Sequence, residues 1–176
     1  MSDTLFSQAL NVDDNGFIGL TVVQWFAVAA LTIPPNTILR SRVRFEASSV
    51  TEGFNIANAY IGHAAGSGDA YDFLETPVQL LFSGAANVNI GIGATATSDW
   101  ANFAYNKTSP LIVSYAITST TDSPRDRSGL GSNIVRYVKA ANEAALVNKT
   151  GYTTASGQLT SVNLIEVETE SGGFFF

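Results

Sequence analysis

From residue 38 to residue 50 the side chains change character at almost every step. Leu39, Ser41, Val43, Phe45 and Ala47 share one parity; Ile38, Arg40, Arg42 and Arg44 share the other. Successive side chains of a β-strand point to opposite faces, so a period of two predicts a strand with a core face backed by an arginine stripe. A helix has a period of 3.6 and cannot separate these residues. No long 3.6-residue pattern persists elsewhere in the chain. The best helical stretch, the Ala-rich run 139–147, is short and Gly151 follows soon after, so one turn or a loop is expected there.

Further strands are predicted over residues 4–10, 18–29, 54–61, 77–83, 88–92, 111–118, 134–138 and 159–169. Asp13-Asp14-Asn15-Gly16 reads as a tight turn, because Asn and Gly tolerate positive φ. Pro34-Pro35-Asn36 breaks the chain. Residues 84–87 read as a hairpin-like connection, and 119–133 as an exposed loop. Many short strands between turn signals predict an all-β fold: an antiparallel β-sandwich, jelly-roll-like, with little helix. The 176 residues suit a single domain over 1–176, with 170–176 a flexible apolar C-terminal tail.

Charge narrows the function classes. Only 14% of residues are charged, against about 25% in an average soluble domain. Such a surface is covered by small polar residues or buried against other chains. The net charge of -6 repels phosphate backbones, so no nucleic-acid partner is expected. Cysteine is absent, which removes disulfides, thiolate metal sites and a cysteine nucleophile. The Met-Ser-Asp-Thr start has no basic stretch ahead of an apolar run, so no secretory leader is expected. Residues 16–39 carry no charge, but Thr21, Gln24, Thr32 and Pro34-Pro35 interrupt them, and two buried strands fit better than a membrane span.

Catalytic patterns are thin. His63 is the lone histidine, and the nearby Ala64-Ala65-Gly66-Ser67-Gly68 lacks the first glycine of a nucleophile elbow. A structural or interface histidine is the expected role, and no enzyme or cofactor is expected. Asp69, Asp72 and Glu75 form a weak calcium candidate that lacks EF-hand spacing. Asp99, Trp100, Asn102 and Tyr105 mix acid, amide and aromatics as sugar sites do, and are the candidate glycan-binding set. The bland alternative is that these aromatics, with Trp25, Tyr60, Tyr71 and Phe103, fill the core.

Two features point to assembly. Arg40, Arg42 and Arg44 hold three of the nine basic residues on one strand face. Left alone they repel one another, so they are expected to meet carboxylates, either Glu166 and Glu168 of the same chain or a partner subunit. Phe174, Phe175 and Phe176 end the chain behind Gly172-Gly173, and three adjacent phenylalanines are expected to dock on this domain or a neighbour.

Segments between residues 43 and 105 carry a resemblance. Val43-Arg44-Phe45, Ala59-Tyr60-Ile61-Gly62-His63, Gly68-Asp69-Ala70-Tyr71-Asp72-Phe73, Val78-Gln79-Leu80-Leu81-Phe82-Ser83-Gly84 and Ser98-Asp99-Trp100 look like segments of accessory virion structural proteins of tailed bacteriophages and gene-transfer agents. The resemblance implies a head decoration, head spike or tail-fibre protein located in the virion. It implies a homo-oligomer, with a trimer favoured, that binds other virion proteins such as a major capsid protein. The alternative is a carbohydrate-binding module or receptor-binding domain recognising host glycans.

Overall fold

The computed structural model describes residues 1–14, 16–50, 52–118 and 124–171. Fourteen strands are present among them: β1 (Ser2–Ser7), β2 (Val12–Asp13), β3 (Thr21–Phe26), β4 (Ile38–Glu46), β5 (Phe54–His63), β6 (Val78–Leu80), β7 (Val88–Ile90), β8 (Thr95–Thr97), β9 (Leu111–Ile117), β10 (Arg125–Arg127), β11 (Ile134–Lys139), β12 (Thr153–Ser156), β13 (Leu159–Thr160) and β14 (Val162–Thr169). The helical content is a single 3-10 turn, Val28–Ala30. No helix among the described residues is long and apolar enough to cross a membrane.

The strands form a four-stranded sheet in the order β1-β14-β4-β8, a large sheet in the order β12-β11-β3-β9-β5-β6 with β7 also on β5, and a small sheet β13-β10-β2. Every strand pair is antiparallel. The first two sheets pack face to face as an all-β sandwich. Val43 and Phe45 of β4 and Ile165 and Val167 of β14 point inward from one side. Leu111, Val113, Tyr115 and Ile117 of β9, with Ile56 and Ile61 of β5, point inward from the other. Phe45 meets Tyr115 edge-on at 5.1 Å across the gap. Burying each such side chain stabilises the fold by roughly 1.5–3 kcal/mol.

Three local expectations need correction. Ile38 is buried at 2% exposure and Leu39 is 46% exposed, the reverse of their expected faces. The ladder pairs Thr169 with Ile38 and Glu168 with Arg40, so Leu39 is an extra residue, a bulge that flips parity at the start of the strand. Residues 84–87 do not join two paired strands. β6 and β7 lie one after the other along the same edge of β5, at its residues 59–61 and 54–56. Between them Ser83 (φ +52°) and Gly84 (φ +81°) form a two-residue turn closed by Phe82 and Ala85. The expected loop 119–133 contains β10 with a buried Asp126.

The outer face of the large sheet is also apolar, and the sequence reading missed this. Val23, Ile112, Val135 and Tyr137 point outward there and form a second core with Ala64 and Phe73. Residues 64–76 and 140–152 lie over it, joined where Phe73 N–H donates to Val147 O at 3.0 Å. Lys139 closes β11, and residues 140–147 are irregular chain over the sheet, the loop that the sequence allows.

Candidate functional site

Residues 98–102 run along β4 on its outer side. Ser98 N–H donates to Val43 O, Val43 N–H donates to Ser98 Oγ, and Ser41 and Ala101 exchange backbone hydrogen bonds. Asp99 N–H donates to Leu81 O, which ties the segment to the chain after β6. The carboxylate of Asp99 then accepts from Ser83 N–H at 3.2 Å and Gly84 N–H at 2.7 Å, capping the tight turn. A cleft of about 260 Å³ opens here, lined by Val78, Gln79, Leu81, Asp99, Trp100, Ala101 and Asn102.

Trp100 is held by the arginine stripe. The Arg42 guanidinium lies 4.5 Å from its ring centroid and that of Arg40 5.4 Å. Cation–π contacts of this kind contribute roughly 0.5–1 kcal/mol at exposed sites. Each arginine is fixed in turn by β14. Arg40 binds Glu168 through two nitrogens, Arg42 Nε donates to Glu166 at 2.8 Å, and Arg44 Nε donates to Asn163 Oδ1 at 2.8 Å. The bond to Glu168 holds the Arg40 guanidinium above its ordinary range and the Glu168 carboxyl below its own. Arg40 and Arg42 are thus paired with Glu168 and Glu166 of the same chain, whereas Arg44 meets the neutral amide of Asn163.

Three of the four glycan candidates, Asp99, Trp100 and Asn102, meet at this cleft. Tyr105 does not. Its ring is 2% exposed, stacks 5.6 Å from His63, and donates its hydroxyl to Ser109 O. Burial pushes that hydroxyl up to about 12. Inward alternation from Ala101 to Phe103 to Tyr105 explains the placement. Gln79 and Leu81 line the cleft and were not foreseen. Their only sequence signal is membership of the strand-like run 77–83, which says nothing about its neighbours.

The calcium candidates separate. Asp72 accepts from Lys149 N–H at 2.6 Å, Asp69 from the Tyr71 hydroxyl at 2.8 Å, and Glu75 faces His63 Nδ1 at 2.6 Å. Among the described residues no group of three or more such side chains converges as a metal ion requires. His63 has structural surroundings: Nε2 accepts from Asn106 N–H at 3.0 Å, and the ring lies 4.8 Å from Phe103. Nδ1 therefore carries the proton toward Glu75. Trp25, Tyr60 and Tyr71 pack on the second core, and Phe103 is buried in the first. Phe174, Phe175 and Phe176 lie outside the described residues.

A second cluster of charge was also missed. Asp126 is 6% exposed and accepts from Arg136 Nη1 at 2.7 Å, while Asp14 lies 3.6 Å from the same nitrogen. Burial is the main cause that pushes the Asp126 carboxyl up to about 8. Its sequence signal was a charged Arg-Asp-Arg run, which reads as solvated loop unless the fold buries its middle residue.

The chain matches no protein-family model and no curated protein.

Proposed function

We propose that this chain is a non-enzymatic virion surface protein of bacteriophage type that engages a host carbohydrate through the Trp100 cleft. One observation carries the binding half of this reading. A tryptophan immobilised by two arginines shares a cleft with one carboxylate and two amides, Asp99, Asn102 and Gln79. Sugars are bound in this way, with an aromatic ring against their C–H groups and planar polar groups for their hydroxyls. A glycan array tests it. Retention on at least one glycan is expected, and Trp100→Ala is expected to abolish it while circular dichroism stays β-rich. Asn102→Ala, at an exposed position, serves as a second variant should the first unfold. Retention untouched in both variants sinks the cleft.

The virion half is supported by the low charged fraction. It makes the chain a homo-oligomer, a trimer in the favoured form, docked on a particle protein such as the major capsid protein. Light scattering on the full chain and on a variant ending at residue 173 tests the terminal phenylalanines as its interface. A drop in mass on truncation is expected, and an unchanged mass removes them from the interface.

A further inference from the structure

We infer that the ligand of the Trp100 cleft is a neutral saccharide, one bearing no carboxylate, sulfate or phosphate; this rests on the carbohydrate reading above. The cleft is lined by one carboxylate, two amides and apolar surface, with no cation among its lining residues. The nearest guanidiniums are committed elsewhere. Arg40 is bidentate on Glu168, Arg42 is bound to Glu166, and both are stacked on Trp100. A ligand anion would have to share either guanidinium with the carboxylate that it already pairs. Asp99 is pinned by two backbone N–H groups and cannot swing away from an approaching acid. The whole chain adds a net charge of -6. Like charges at short range are disfavoured, whereas an amide or carboxylate accepts a sugar hydroxyl at no such cost.

Saturation-transfer NMR with methyl glycosides tests this. Methyl β-galactoside, α-mannoside and N-acetyl-β-glucosaminide are compared with methyl β-glucuronide and a methyl sialoside, while the Trp100 indole N–H is followed. At least one neutral glycoside is expected to bind in the millimolar range and shift that resonance, with an affinity unchanged by added salt. An acidic glycoside binding tighter than its neutral counterpart, or affinity that falls as salt rises, overturns the inference and leaves the carbohydrate reading standing. If no glycoside of either class moves the Trp100 resonance, both fall.

Discussion

The outer faces of the two main sheets solve opposite problems. On the four-stranded sheet, Arg40, Arg42 and Arg44 meet Glu168, Glu166 and Asn163, and the paired side chains of the two ion pairs keep 21–39% of their surface in solvent. A neighbouring strand gives two of these guanidiniums a carboxylate and the third an amide. On the large sheet, Val23 and Ile112 are fully buried on the outer side, under chain from residues 64–76 and 140–152. That face exists only because distant loops cover it. Their cations differ in the same sense. Arg40 is pushed up by its bond to Glu168, whereas Lys149, 2% exposed and 4.0 Å from the Phe73 ring, is pulled down to about 8 by burial. Burial, more than partner choice, decides the direction of such shifts.

The contrast is broken most directly at Phe73. Phe73→Ala is expected to cost roughly 3–5 kcal/mol in chemical denaturation, because the ring is the buried plug of the covered face. A cost under about 1 kcal/mol shows that the cover is ornamental. Gly62→Ala probes the same seam from the sheet side. A Cβ there sits 2.7 Å from the Phe73 ring, and overpacking of about 1–3 kcal/mol is expected in the same assay.

Lys149→Met sharpens the electrostatic side. The folded Lys149 titrates at about 8 and an unfolded lysine near its ordinary value of 10.5, so between these the unfolded chain binds more protons. Wild-type stability is therefore expected to rise from pH 8 to pH 10 through this group, while below pH 8 the full cost of the buried ammonium remains. The stability difference between Lys149→Met and wild type, followed by thermal melts, is expected to be most in favour of the variant below pH 8 and to shrink toward pH 10. A difference that is flat across this window means that the ammonium is not desolvated. The smallest effect belongs to the open face. Arg42→Gln is expected to change stability by about 0–1 kcal/mol, less at high salt, because exposed pairs gain little. A larger loss means that the ladder carries packing through Trp100.

These faces were unequally legible. The arginine ladder was readable because alternation along β4 and acids on β14 obey a rule of strand geometry that needs no distant information. The Leu39 bulge escaped because parity shifts only when two strands pair in a given register. For the cleft, Asp99, Trp100 and Asn102 came from one short segment whose chemistry is local. Gln79 and Leu81 reach it through the Asp99-to-Leu81 hydrogen bond, a contact between segments some eighteen residues apart. Tyr105 was misplaced because an aromatic suits a core and a sugar site equally well, and only its parity on the folded chain separates the two.

By itself the sequence determined the all-β class, the strand-rich periodicity, the acidic, cysteine-free composition and the arginine stripe, since each follows from neighbours along the chain or from simple charge. Only the tertiary structure decided which strands share a sheet, that the large sheet is buried on both faces, that Asp126 lies inside and that Trp100 has Gln79 beside it. Those properties depend on which distant segments exclude water from one another, and exclusion of water is a property of the packed chain.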